Sequence, residues 1–324
     1  MVNDKLVKAI LKGDKTAISK SITLIENESA ESDKLSGLLY NHIGKAKRIG
    51  ITGPPGIGKS TLVNELIASL RQRGKSVGVI AVDPSSIFSG GAILGDRIRM
   101  QKIGVDENVF VRSMATRGVH GGLNRTAVEV ADVLDASGKD YVIFETVGVG
   151  QSEIEIYRVA DVTVVILSPE SGDSIQAMKS GLMEIADIIV VNKSDLPGAD
   201  AFVCNLRNTL EISRSVRSFK SGVKRHIPIL KTQANQGIGI EELIDSIGDY
   251  FSELGKGKEL LQRRKNSLEE RIKSLILCRL ENRIAEHPKI SKRIEKYLDI
   301  TGLNERSITP YELADEIIGD LIKK

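Results

Sequence analysis

A doubly wound α/β domain with a mainly parallel sheet and helical extensions at both ends is predicted by three observations. Short, almost continuously apolar runs alternate with amphipathic stretches from Arg48 to Leu254, and a parallel strand buried on both faces needs that continuity. The octapeptide Gly53-Pro54-Pro55-Gly56-Ile57-Gly58-Lys59-Ser60 follows the first apolar run and precedes the first helical one, where a phosphate-binding loop belongs. Beyond Gly255 the strand-like runs stop, and an aliphatic stripe continues on a heavily charged background.

The elements follow in order. Residues 1–46 read as a helical extension: Leu6, Val7, Ile10 and Leu11 form one apolar stripe and Ala17, Ile18, Ile22 and Ile25 another. Residues 47–255 read as the α/β domain. Its strand candidates are Arg48–Thr52, Val77–Val82, Val109–Val111, Tyr141–Phe144, Val162–Leu167, Ile188–Val191 and Ile227–Leu230. Helical spacing separates them at Thr61–Leu70, Leu123–Ala136, Ala199–Arg214 and Ile240–Leu254. Ligands of such sheets bind at the carboxyl ends of the strands. Residues 256–324 read as a helical arm. There Leu268, Ile272, Leu275, Ile276, Leu280 and Ile284 form a stripe that needs a surface to cover, either its own chain or a second copy.

Composition excludes several classes. The 324 residues, 41% hydrophobic and 27% charged, suit a soluble globular protein with ample core. No apolar run reaches the roughly 18 residues of a membrane span. Met1-Val-Asn-Asp-Lys5 lacks the apolar region of a signal peptide, so the chain reads as cytoplasmic, with no membrane partner. Cys204 and Cys278 lack metal-ligand spacing and are expected to fill core or interface positions. A net charge of +3 is too small to argue for nucleic acid. The densest basic stretch, Arg214 to Arg225, has no aromatic pattern of a base-stacking surface and reads as a solvated helix end.

The chemistry lies at the strand ends. The octapeptide fits G-x-x-x-x-G-K-[ST] at every fixed position. Its glycines let backbone N–H groups face phosphate oxygens, Lys59 would reach the β/γ-phosphates, and Ser60 would bind Mg²⁺. Ile188-Ile-Val-Val-Asn192-Lys193-Ser194-Asp195 matches N-K-x-D. A carboxylate at Asp195 can accept from the guanine N1–H and exocyclic amine, which adenine cannot offer in that arrangement. Asn192 would brace the loops and the Lys193 stem would lie along the base, so GTP or GDP is expected rather than an adenine nucleotide. Lys231-Thr-Gln-Ala-Asn235 follows the next strand candidate, and its Ala234 N–H would face the guanine O6. Asp83, Asp96 and Glu145 stand at strand ends or in loops beyond them, as candidates for Mg²⁺, which usually takes only one or two protein ligands.

Four blocks carry a resemblance: Val82-Asp-Pro-Ser-Ser86, Leu94-Gly-Asp-Arg-Ile-Arg-Met100, Arg112-Ser-Met-Ala-Thr-Arg-Gly118 and Glu145-Thr-Val-Gly-Val-Gly-Gln-Ser-Glu153. They resemble the signature blocks of the MeaB/ArgK family of P-loop GTPases, a metallochaperone-type group associated with methylmalonyl-CoA mutase and related adenosylcobalamin enzymes. The resemblance covers most of the chain, including Ala17 to Asn27. It implies a central P-loop GTPase domain, a helical N-terminal extension and a C-terminal dimerisation arm. It also implies slow GTP hydrolysis that gates cobalamin delivery to an acyl-CoA mutase and protects that enzyme, so a homodimer serving a mutase is expected. At matching positions, Gly53 through Thr61 would hold phosphates, Asp195 would read guanine, and Gln233, Ala234 and Asn235 would complete the base pocket. Asp83, Asp96 and Glu145 match the acidic positions near Mg²⁺. Pro169 to Lys179 resembles the family's mobile segment, but Glu170 and Ser171 stand where small residues are usual. No glutamine obviously orients the attacking water; Gln151 and Lys179 are the candidates, and the partner could complete the site.

Three other readings compete. A nickel metallochaperone GTPase would need a Cys/His site, and the four histidines and two cysteines form no cluster. A kinase for a small amino or guanidino substrate would need an acceptor pocket. A regulatory nucleotide-binding module would show negligible turnover.

Overall fold

The computed structural model describes residues 2–27, 29–84, 106–116, 122–146, 152–170, 181–221, 226–256, 258–298 and 308–322. Asp96, Gln151 and Lys179 lie outside them, as do Lys224 and Arg225 at the end of the basic stretch.

Seven strands form one sheet: β1 (Lys47–Thr52), β2 (Val77–Pro84), β3 (Val109–Thr116), β4 (Tyr141–Thr146), β5 (Val162–Leu167), β6 (Ile188–Val191) and β7 (Ile229–Lys231). The order is β3-β2-β4-β1-β5-β6-β7, and every pairing is parallel. This is the doubly wound architecture expected from the sequence. β1 stands in the middle, so the loop that follows it opens between β4 and β5.

Two layers cover the sheet. On one face α4 (Lys59–Gln72) supplies Leu62, Leu66 and Leu70 to a core with Ile49, Ile51 and Val164. The amphipathic helix Ile240–Lys256 completes that layer through Leu243, Ile247 and Phe251. On the other face the helices α1 (Asp4–Leu11), α2 (Lys15–Glu26) and α3 (Ala30–Leu39) share a core with α5 (Gly122–Ala136). Ile10, Ile18, Ile22 and Leu35 meet Val130, Leu134, Ile80 and Phe144 there. α1 and α2 are capped by Asn3 and Asp14, whose side chains accept from Leu6 N at 3.0 Å and Ala17 N at 2.7 Å. The short helices α6 (Ser152–Glu155) and α7 (Leu182–Ile185) precede β5 and β6, and α8 (Ala199–Ser221) leads toward β7.

Charge pairs fasten the opposite, amino-terminal edge of the sheet. Asp135 accepts from the N–H groups of Gly44, Lys45 and Ala46 at 2.7, 3.1 and 3.0 Å, setting the entry into β1. The helix after Ile240–Lys256 (α9) is α10 (Glu259–Ala285), whose first turns bring Arg263 and Arg264 to that edge. Arg264 Nε and Nη2 donate to both Asp161 carboxylate oxygens at 2.9 and 2.8 Å, and its Nη1 and Nη2 reach the Gly44 and Ala46 carbonyls at 2.6 and 3.0 Å. Arg263 makes a matching fork to Asp187 at 2.8 and 2.7 Å and also donates to the Tyr250 hydroxyl at 2.9 Å. Tyr250 in turn donates to Asp187. Hydrogen bonding to Asp161 raises the Arg264 pKa against the effect of burial. Burial would lower that of Arg263, but bonding to Asp187 raises it overall.

The chain divides into two compact units, Met1–Ser267 and Leu268–Lys324. The second contains the rest of α10, with α11 (Pro288–Leu298) and α12 (Pro310–Ile322). Its small core joins Ile290 to Leu313 and Ile317. α12 starts with a capping box, Thr309 N donating to Glu312 at 2.7 Å and Glu312 N donating to Thr309 Oγ1 at 3.2 Å. α10 buries no residue: Leu268, Ile272, Ile276 and Leu280 are 38%, 48%, 53% and 42% exposed. Cys204 is exposed on α8, and Cys278 is partly exposed on α10. Of the core or interface positions expected for the cysteines, Cys204 does not take a core one: Val203 and Leu206 face the sheet and turn their neighbour outward. No described helix is long and apolar enough to cross a membrane.

Candidate functional site

The site collects at the carboxyl ends of β1, β4, β6 and β7. Gly53 leaves β1 at φ 145, and a Cβ on it would lie 2.2 Å from the Ile166 carbonyl oxygen. Only glycine permits that close approach. At the other end Gly58 (φ 91) precedes α4, and a Cβ there would lie 2.6 Å from Asn192 Nδ2. Ile57 between them is buried, which seats the loop on the sheet. Lys59 is buried too, its ammonium donating to the Gly53 and Pro54 carbonyls at 2.8 Å each. Ser60 Oγ donates to Glu145 Oε1 at 2.6 Å, linking the first turn of α4 to the end of β4.

A second group of contacts joins β6 and β7 to that loop. Asn192 Nδ2 donates to the Ile57 carbonyl at 2.8 Å. Its Oδ1 accepts from Thr232 Oγ1 at 3.0 Å and from Ala234 N at 3.1 Å. The Ala234 N–H, expected to face a guanine carbonyl, is thus directed at Asn192. Lys193 adopts φ 56, a left-handed conformation that is uncommon outside glycine, and its ammonium stands 3.8 Å from Glu170. Both groups are well exposed, so this pair adds little stability. A cavity of about 320 Å³ opens here, lined by Gly58, Thr61, Glu170, Asn192, Lys193, Asp195, Leu196, Ala234 and Asn235.

The sequence-derived candidates therefore distribute as follows. Gly58, Thr61, Asn192, Lys193, Asp195, Ala234 and Asn235 share the cavity, and Gly53 to Ser60 stand beside it. Gln233 is not on its wall; its backbone pairs with Ile238 to close the turn after β7. Glu145 meets Ser60, and Asp83 lies near the end of β2. The serine hydroxyl and the buried Glu145 carboxylate are hard oxygen donors side by side, a pair that suits Mg²⁺. Among the described residues, no group of three His, Cys, Asp or Glu side chains could hold a metal ion.

Four contributors escaped sequence reasoning. Thr232, fully buried, orients the Asn192 amide. Thr146 Oγ1 donates to Thr52 Oγ1 at 3.0 Å, and Thr52 Oγ1 donates to the Glu153 carbonyl at 3.3 Å, tying β4, β1 and α6 together. The Glu153 carboxyl is pushed above the ordinary carboxylate range by burial, with the Lys59 charge pulling the other way. Glu153 closes the block that begins at Glu145, but nothing in its spacing distinguishes it from a solvated helix residue.

Comparison with known proteins matches this arrangement. The family model for methylmalonyl-CoA mutase-associated GTPase MeaB aligns with residues 18–289. A Pyrococcus horikoshii relative named as a GTPase is 41% identical over 320 residues, covering 98% of each chain. The mouse mitochondrial methylmalonic aciduria type A homolog is 31% identical over 336 residues, 99% of this chain and 79% of that one. A solved LAO/AO transport system kinase superposes with a TM-score of 0.65 at 25% identity, over 100% of both chains. With a loop, a cavity and a sheet that suit a bound nucleotide, and with most of its length matched, the chain belongs to the MeaB family of GTPases.

Proposed function

We propose that this GTPase assists an adenosylcobalamin-dependent acyl-CoA mutase, methylmalonyl-CoA mutase being the first choice, in loading and protecting its cofactor. The observation that carries the reading is the family match over residues 18–289. The two nucleotide loops meeting at Asn192 support it. GTP would sit with its phosphates on Gly53 to Thr61 and Lys59, and its base between Lys193, Asp195, Ala234 and Asn235, with Gln233 closing the turn that carries the last two. Ser60 and Glu145 would hold Mg²⁺, with Asp83 and Asp96 acting directly or through water. When bound, Mg²⁺ neutralises charge on the β- and γ-phosphates. Gln151 and Lys179 are the proposed aids to the attacking water. The chain works in the cytoplasm on this reading, in three parts: a helical extension (1–46), the GTPase domain (47–255) and an arm (256–324). The test is GTP turnover with and without purified mutase: a rate that the mutase leaves unchanged, with no complex on gel filtration, overturns the partner.

Base identity has its own test. Asp195→Asn should weaken GTP and favour xanthosine triphosphate, because the amide can donate to the 2-oxo group where the carboxylate only accepts. A competition assay that keeps the wild-type preference for GTP would remove Asp195 from the base pocket.

The exposed aliphatic stripe of α10 supports a homodimer formed by the arm. At ~25 cal/mol per Å² of apolar surface, covering it is worth several kcal/mol, and a twofold interface feels each substitution twice. Leu268→Glu combined with Leu275→Glu should give monomers that still bind GTP. Light scattering showing a wild-type monomer at micromolar concentration would refute the dimer.

A further inference from the structure

We infer that Glu153 is a further catalytic residue of the nucleotide site, its carboxylate accepting a hydrogen bond from the attacking water and taking that water's proton. The inference rests on the reading that Gly53 to Thr61 hold the phosphates of GTP.

Three observations place Glu153 there. Its backbone is tied to the ends of β1 and β4 by the Thr146–Thr52 hydroxyl pair, so α6 is held against the root of the phosphate loop. Its Oε1 is buried and accepts no hydrogen bond from any described residue. The charge that acts on it is Lys59, the cation expected to reach the β/γ-phosphates. Glu145, the buried carboxylate at the end of β4, already accepts from Ser60.

A buried carboxylate oxygen without a donor is costly, by about 1–3 kcal/mol or more. None of the described residues supplies the donor, and a group that arrives with the substrate can. The phosphates of GTP cannot, because their oxygens are acceptors and repel a carboxylate. On the same reading the guanine N–H groups would lie at the other end of the nucleotide, in the cavity lined by Asp195. Water is the reactant at the phosphate end that has a hydrogen to give. As its oxygen bonds to the γ-phosphorus, the bond from that phosphorus to the β–γ bridging oxygen breaks and the electron pair leaves on GDP. The proton released by water passes to Glu153 and from there to solvent. Burial raises the carboxyl's affinity for protons, the direction that favours a general base.

Glu153→Gln separates this role from a structural one, since the amide keeps size and hydrogen bonding but cannot take a proton. The variant should bind GTP within about threefold of wild type while kcat falls roughly a hundredfold, the range of general base catalysis. Between about pH 5 and 8 the wild-type kcat should rise along an acid limb above the usual carboxylate range, and the variant should lack that limb. Glu153→Asp should retain the limb at reduced kcat. A Glu153→Gln enzyme with wild-type kcat, a parallel fall of kcat and affinity, or a flat wild-type profile would each overturn the assignment. If Glu153→Gln does not fold, the wild-type and Glu153→Asp profiles decide alone. Failure of the underlying site reading looks different: Lys59→Ala would then bind GTP as wild type does.

Discussion

Lys59→Ala is expected to bind GTP at least about a hundredfold more weakly than wild type, a loss of roughly 2.7 kcal/mol. The ammonium is buried at the loop and held by the Gly53 and Pro54 carbonyls. It is therefore placed and partly desolvated before any ligand arrives, so little ordering cost remains when phosphates replace those carbonyls as its partners. A charge-assisted contact in such a setting is about twice as strong as a neutral one. Truncation leaves the fold in place, because α4 starts from Gly58 through the Leu62 N–H at 3.0 Å and packs through Leu62, Leu66 and Leu70. Titration calorimetry giving wild-type affinity would remove the phosphate assignment altogether.

Arg264→Ala should destabilise the protein by about 3 kcal/mol, the lower end for breaking a buried ion pair. Asp161 is only 3% exposed. With the guanidinium gone, the contact still described to its carboxylate is the Arg48 N–H at 3.0 Å, and the Gly44 and Ala46 carbonyls lose their donors as well. Arg264→Lys should recover less than half of the loss, since one ammonium cannot span both carboxylate oxygens and two carbonyls. Raising salt should change the difference little, because burial limits screening. Urea unfolding that places Arg264→Ala within about 1 kcal/mol of wild type would show that this edge is not held by the pair.

The central strands were legible because both of their faces are buried: β5 and β6 coincide with the apolar runs Val162–Leu167 and Ile188–Val191. β3 was only half legible. It stands at the sheet edge, pairs with β2 alone, and continues to Thr116 through Arg112 and Ser113, which no rule of continuous hydrophobicity would include. β7 begins later than the run suggested, after Pro228, which lacks the N–H a ladder needs. α8 continues past Arg214 to Ser221, where no glycine or proline interrupts it. At the site, motif spacing located the loops but not their joinery. Thr232 and Asn192 are 40 residues apart, and Arg264 and Asp161 are 103 apart. No local pattern encodes such pairs.

The Asn192 amide has a consequence for how this site can diverge. One side chain carries the Ile57 carbonyl of the phosphate loop on its nitrogen and the turn after β7 on its oxygen. Gly58 leaves that nitrogen no spare room. On the proposed reading, the two ends of the nucleotide would be gripped through a shared support. A lineage that altered the base-reading turn would shift the same amide and loosen its hold on the triphosphate. On that reading base preference and phosphate grip would be coupled through Asn192, and a new nucleotide could be adopted only by remaking both loops together.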